Sequence, residues 1–120
     1  MYRNLRFIYI TAPNREEAKE IGRALVEEQL AACVNIIDGM ESIYRWKGEI
    51  EEAKECVLIV KTHYSRVRKL TRRVKEMHSY ACPCIVSFTL TESEGNMDYL
   101  NWIENNSRQL PGENILSNGV

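Results

Sequence analysis

The chain has 120 residues, 16 of them basic and 17 acidic, which gives a net charge of -1 at neutral pH. This length is typical of one domain with its own core, so residues 1–120 are interpreted as a single domain that folds without a disulfide or a metal. A charge this close to zero excludes a global electrostatic field for gathering nucleic acid or an anionic membrane.

The first predicted elements are a strand and a helix. The run 7–12 is rich in β-branched and aromatic residues and stops at Pro13, which predicts a buried strand. Asn14 is suited to cap a helix, with Glu17 three residues on as its partner in a capping-box-like pair. The apolar side predicted for this helix consists of Ala18, Ile21, Gly22, Leu25, Val26 and Gln29.

A long hairpin is predicted next. Residues 32–46 form an extended run with a bulge or bend at Asp38-Gly39. Lys47-Gly48 supplies a turn, and a second strand leaves it through an acidic stretch and ends in the apolar run 56–60. The distal half is polar enough to protrude from the core, and such an extension usually meets another subunit.

After the hairpin, the sequence predicts a second helix, a last strand and a short third helix. Residues 65–77 predict a helix with apolar residues in a narrow arc and many basic residues around it. Residues 85–90 predict a strand with Val86, Phe88 and Leu90 on one face, and residues 94–96 begin a short third helix. The end of the chain, about 108–120, has little periodicity and is interpreted as an irregular tail.

The element order predicts an α+β fold of the ferredoxin-like type, β-α-β-β-α-β, with a long β2-β3 hairpin and an extra C-terminal helix. In this arrangement two helices cover one face of the sheet. The other face would be bare in a monomer, although its strands are hydrophobic. We therefore expect the chain to associate with copies of itself.

The expected location is the cytoplasm. The apolar run near the N-terminus is about six residues long and lacks the features of a signal peptide, and no segment approaches the roughly 18 apolar residues of a spanning helix, so membrane insertion is not expected. In the cytoplasm the four cysteines would stay reduced.

Several short motifs recur at intervals that resemble one known family. They are Thr11-Ala12-Pro13-Asn14, Ala32-Cys33-Val34-Asn35, Ser42-Ile43-Tyr44-Arg45-Trp46-Lys47-Gly48, Lys61-Thr62, His78-Ser79-Tyr80 with Pro83, and Tyr99-Leu100-Asn101-Trp102. Their order and spacing are similar to those of the CutA divalent-cation tolerance family. The resemblance covers the chain from about Phe7 to Ser107.

The resemblance implies a homotrimer of ferredoxin-like subunits in which the long hairpins pair between neighbours, as in the related PII-like signalling proteins. It also implies a link to tolerance of divalent cations, notably copper, without an established enzymatic reaction. Ligands of such proteins are expected in the clefts between subunits, lined by residues of the motifs above.

One segment departs from the family pattern. Where the family commonly has His-Pro-Tyr-Glu-x-Pro-Glu-Ile, the chain has His78-Ser79-Tyr80-Ala81-Cys82-Pro83-Cys84-Ile85. Both glutamates are therefore missing, at Ala81 and Cys84, and a cysteine sometimes found before the first motif is Ile10. A hard-cation site that depends on those carboxylates is not expected, whereas thiolate sulfur would favour copper(I) or zinc.

Cysteine and histidine side chains near this segment are the candidate metal ligands. Cys82 and Cys84 are two residues apart in an extended segment and point to the same side. With His78 they offer three ligands to a Cu or Zn ion, and Cys33 or solvent is a possible fourth. The alternative is structural: the cysteines are small core residues and His78 is a hydrogen-bonded imidazole.

Aromatic side chains with polar tips are the candidate ligand-cleft residues. Tyr44, Trp46 and Tyr80, with Lys61 as counter-charge, would line an intersubunit pocket for a small anion or metabolite, and the resemblance adds Asn35 to this set. The alternative is that the aromatic residues pack the hairpin against a neighbouring subunit.

Other functional classes find less support. The basic face of the second helix is typical of a solvated surface, so nucleic-acid binding is not expected. The chain contains no GxSxG, P-loop or HExxH motif, so no enzyme activity is expected. The leading hypothesis is a trimer that binds metal ions or a small ligand at its clefts; the alternative is a PII-like regulatory scaffold that acts through a protein partner.

Overall fold

The computed structural model describes residues 4–108, and within them the predicted α+β architecture is confirmed. The elements are β1 (Leu5–Ala12), α1 (Arg15–Glu27), β2 (Cys33–Trp46), β3 (Glu49–His63), α2 (Val67–Met77), β4 (Ile85–Thr89) and α3 (Met97–Ser107), with a 3₁₀ turn at Tyr64–Arg66 before α2. The strands form one antiparallel sheet in the order β2-β3-β1-β4. This is the strand order of the ferredoxin-like fold, with two long strands forming the hairpin.

The first helix begins where the sequence predicts. The backbone N–H of Glu17 donates to Asn14 Oδ1 over 2.8 Å, so Asn14 is the N-cap. The carboxylate of Glu17 turns away from the cap and accepts hydrogen bonds from Ser79 instead, which replaces the predicted reciprocal capping-box bond. The helix ends at Glu27, so Gln29, placed on its apolar side from the sequence, lies beyond it in a left-handed conformation, and Val26 is exposed.

Both predicted irregularities of the hairpin are confirmed. Lys47 and Gly48 have positive φ angles of 51° and 83°, as required by a tight turn whose twist matches the strands. The pairing register of β2 and β3 shifts between Ile37 and Met40, at Gly39 with φ of 80°. This is the bulge predicted at Asp38-Gly39, and such a bulge bends its strand and increases the local twist.

The hydrophobic core lies between one face of the sheet and the helices α1 and α2. It contains Ile8, Ile10, Ala12, Ala18, Ile21, Leu25, Leu30, Ala31, Cys56, Leu58, Val60, Leu70 and Val74. Arg66 was predicted on the basic, solvated face of the second helix, but its side chain is buried. Its Nε donates to the carbonyl oxygen of Ser107 over 2.7 Å. Arg66 therefore joins the start of α2 to the end of α3.

The opposite face of the sheet carries apolar side chains without a helix over most of its width. Val86 and Phe88 pair across β1 with Tyr9 and Phe7, and their side chains are 47% and 55% exposed. Ile37 on the same face is 53% exposed. The prediction that this face lacks a helical cover is therefore confirmed for these residues.

The last helix covers one end of this face. α3 contacts β3 and β1, buries Ile103 and follows its N-cap Asn96, near the predicted start. Of the predicted tail 108–120, Arg108 follows α3 directly and the remainder lies outside the described residues. None of the helices within residues 4–108 is long and apolar enough to cross a membrane.

Candidate functional site

A groove lies between the protruding hairpin and the segment 79–84 that leads into β4. Its volume is about 930 Å³. Its floor comes from β1, one wall from the hairpin and the other wall from the segment before β4. The lining residues are Tyr9, Thr11, Met40, Glu41, Ser42, Ile43, Tyr44, Trp46, Lys47, Glu55, Ser79, Tyr80, Ala81, Cys82 and Cys84.

Two of the four predicted metal ligands lie in this groove. Cys82 is exposed, whereas Cys84 is partly covered, and both thiols are free. Burial raises the pKa of the Cys84 thiol, the negative charge of Glu55 adds to this effect, and a hydrogen bond with Thr11 opposes it. The Cys84 thiol therefore loses its proton less readily than a fully exposed cysteine would.

The third predicted ligand, His78, uses both ring nitrogens inside the protein. Its side chain is buried, and Nε2–H donates to the carbonyl oxygen of Thr11 over 2.7 Å. Nδ1 accepts from the backbone N–H of Tyr80 over 3.1 Å and lies 3.4 Å from a carboxylate oxygen of Glu17. These contacts place a proton on Nε2 and engage both ring nitrogens within the protein, so neither is free for a metal.

The fourth predicted ligand, Cys33, lies elsewhere on the sheet. It begins β2 and pairs with Lys61, whereas Cys84 precedes β4 on the opposite edge. Three strand spacings, about 14 Å, separate those edges. Within residues 4–108, no three His, Cys, Asp or Glu side chains come together as a potential metal site. The structure thus groups Cys82 with Cys84 and separates them from His78 and Cys33, and metal binding itself stays a prediction.

Three of the predicted ligand-cleft residues do come together. Tyr44, Trp46 and Tyr80 all line the groove. The hydroxyl of Tyr80 donates to Oε2 of Glu55 over 2.8 Å, and Glu55 is only 8% exposed. Burial and the bond to this carboxylate raise the pKa of Tyr80, so its hydroxyl keeps its proton.

The other two predicted cleft residues do not line the groove. Lys61 lies toward α3, where its Nζ donates to the Tyr99 hydroxyl over 3.0 Å. Asn35 is exposed near the start of β2 and pairs with Ile59. The charge buried beside the aromatic residues is consequently the carboxylate of Glu55. Sequence reasoning missed this residue, because it reads as one more member of an acidic run before the apolar stretch of β3.

Comparison with known families gives one consistent match. Residues 6–106 match the family model described as CutA1 divalent ion tolerance protein. A divalent-cation tolerance protein CutA from Thermus thermophilus is 49% identical over 100 residues, which cover 83% of this chain and 95% of that protein. A chloroplastic CutA from Arabidopsis thaliana is 41% identical over 101 residues, which cover 84% of this chain and 54% of that protein.

Solved structures show the same fold. The divalent cation tolerance protein from Thermus thermophilus superimposes with a TM-score of 0.82 at 48% identity, covering 86% of this chain and 98% of that one. A protein from Archaeoglobus fulgidus, described as a periplasmic divalent cation tolerance protein CutA, gives 0.81 at 42% identity, with coverage of 87% and 99%.

Proposed function

The chain belongs to the CutA1 divalent-ion tolerance family, and we propose that it acts in the tolerance of divalent cations as a cytoplasmic, non-catalytic homotrimer. In this proposal the trimer holds a thiophilic metal ion, copper or zinc, in the groove beside the hairpin. Relatives named for divalent-cation tolerance and the two groove cysteines support this function.

The proposal of a trimer is supported by the uncovered sheet face. Val86, Phe88 and Ile37 expose apolar side chains on this face, which a partner subunit would remove from water. The hairpin extends beyond the core half of the sheet and offers a second surface for a neighbour. Closed assembly of identical chains covers such faces without leaving an apolar edge.

The observation that carries the metal proposal is the presence of two free thiols on one wall of the groove. Cys82 and Cys84 both face this space, and thiolate sulfur selects soft or borderline ions such as Cu(I) and Zn(II). Two protein sulfurs suffice for a two-coordinate Cu(I), and Zn(II) would need further ligands from solvent or from a neighbouring subunit.

Equilibrium titration of the reduced protein with Cu(I) and with Zn(II) tests this proposal. We expect saturation at a defined stoichiometry per trimer, and loss of binding in the double variant Cys82→Ser, Cys84→Ser. Cys33→Ser is the matched control, because it removes a thiol that lies far from the groove, and it should bind as the parent does. Unchanged affinity in the double variant would refute the cysteine site.

The alternative function is a PII-like trimeric scaffold that regulates a protein partner and affects metal tolerance indirectly. It is favoured by His78, whose ring nitrogens are both engaged, Nε2 by the Thr11 carbonyl and Nδ1 by the Tyr80 N–H. In that case the reduced trimer would bind no metal above background, and affinity capture with the trimer would recover one specific partner that also binds the purified protein.

A further inference from the structure

The electrostatic character of the groove is set by a buried carboxylate. Glu55 is at least nine-tenths buried, yet it lines the open groove. Within residues 4–108, the only side chain that donates a hydrogen bond to it is Tyr80, through Oε2. Its Oε1 therefore has acceptor capacity without a donor, and a buried carboxylate in this condition attracts a cation.

Aromatic side chains and further glutamates stand on the same face of the hairpin. Tyr44 lies opposite Glu51 and Trp46 opposite Glu49 in the β2–β3 register, while Met40 lies opposite Glu55. Residues directly opposite in an antiparallel pair share a face of the sheet. On the hairpin wall of the groove, Met40, Tyr44 and Trp46 therefore each have an acidic cross-strand neighbour.

Basic groups contribute little to this wall. Lys47 lines the groove, but it lies at the hairpin turn, at the far end from Glu55. Arg45 pairs with Ile50, on the other face, and its Nη1 is bonded to the carbonyl oxygen of Gly48. The lysine expected to provide a positive charge, Lys61, is bonded to Tyr99 near α3.

We propose that this groove binds a small organic cation, an alkylammonium group, with Glu55 as its counter-charge and the ring face of Tyr44 beside its carbon substituents. Aromatic faces attract cations through the negative potential of the ring, and they cover alkyl groups equally well. The sign of the ligand charge is opposite to that of the small anion expected from the sequence. The site uses residues other than Cys82 and Cys84, so it goes beyond the proposed metal function.

The test uses three probes with the same carbon chain and different charge: n-butylammonium, butan-1-ol and butanoate. Binding to the full-length protein is followed by the ring ¹H–¹³C resonances of its six tyrosines. The Tyr44 resonances are assigned with Tyr44→Leu, and those of Tyr80, which is bonded to Glu55, with Tyr80→Phe. We expect a saturable shift of the Tyr44 and Tyr80 resonances with butylammonium, a much weaker response to butanol and none to butanoate. Tyr99, which stacks on Trp102 in α3 outside the groove, serves as an internal control that should not move.

Variants then assign the binding energy to residues. Glu55→Gln removes the charge but keeps an oxygen that can accept from Tyr80, so the fold should persist; we expect butylammonium to bind at least tenfold more weakly. Glu52→Gln, on the same strand but the other face, should bind as the parent does. Tyr44→Leu keeps an apolar side chain at a partly exposed position, and we expect about a two- to fivefold loss.

Several results would overturn the proposal. One is butanoate or butanol binding as tightly as butylammonium, and another is unchanged butylammonium affinity in Glu55→Gln. Absence of any saturable shift of Tyr44 and Tyr80 would also overturn it, because a cation held at Glu55 must lie against these rings. The double variant Cys82→Ser, Cys84→Ser should retain butylammonium binding, which separates this site from the metal site.

Discussion

At the residue scale, Cys56 shows how a core position is coupled to a polar one. Its side chain is fully buried in β3, and its Sγ donates to Oδ1 of Asp38 over 3.0 Å. Burial, followed by the hydrogen bond and the charge of Asp38, raises the pKa of Cys56 from 9.0 to about 11. The same bond lowers the pKa of Asp38.

This shift predicts a loss of stability in mild alkali. Above pH 9.0 the unfolded chain releases the Cys56 proton, whereas the folded chain keeps it up to about pH 11. The unfolded state then binds fewer protons, so the free energy of unfolding falls as pH rises through this window. Urea unfolding at fixed protein concentration should show a shallower fall in Cys56→Ala; an identical slope in both proteins would contradict the assignment.

The sequence predicted only part of the arrangement of individual side chains in the candidate site. The structure brings Tyr44, Trp46 and Tyr80, predicted for a ligand cleft, to the same groove as Cys82 and Cys84, predicted as metal ligands, because their motifs flank the hairpin and β4. Binding by either set stays a prediction. Proximity along the chain suggested that His78 would join the cysteines. Its imidazole turns inward instead and donates from Nε2 to the Thr11 carbonyl, a long-range contact that no local pattern predicts.

At the scale of elements, α1 depends on its first turn. Asn14 supplies the side-chain cap, and Glu17 extends from the same turn to the backbone N–H and hydroxyl of Ser79. Asn14→Ala should lower the free energy of unfolding by about 1 kcal/mol, because it leaves a helix N–H without its partner. Chemical denaturation at fixed protein concentration measures this, and Asn14→Asp, which keeps an acceptor, should stay close to the parent. Equal stability of the alanine variant would count against the cap.

The elements themselves were largely readable from local chemistry. Asp38-Gly39 indicates the bulge and Lys47-Gly48 the turn, because both features need residues with positive φ angles, which glycine adopts most easily. The end of β3 was harder to predict, because the apolar run stops at residue 60 whereas the strand continues through Lys61, Thr62 and His63. Thr62 pairs with Arg6 there, and its hydroxyl donates to the Leu30 carbonyl over 2.6 Å. Such long-range partners extend a strand without changing its local pattern.

At the scale of the whole molecule, the uncovered sheet face predicts the assembly state. Light scattering at micromolar concentration should report three chains of 14.0 kDa each. Phe88→Asp places a charge on the exposed apolar face and should shift the particle toward a single chain, because the buried charge would lack a partner. Ser87→Asp, the neighbouring position on the opposite face, is the matched control and should remain assembled. A parent protein that scatters as a single chain would exclude the trimer.

The buried His78 helps to order one wall of the groove before any ligand binds. Its bonds to Thr11 and Tyr80, together with those of Ser79 to Glu17, anchor the start of the segment that carries Cys82 and Cys84. Because this segment is already ordered, it loses little conformational entropy when a ligand binds. More of the contact energy is therefore kept as binding affinity. The histidine would thus contribute to binding by preorganisation, from a position where it never touches what is bound.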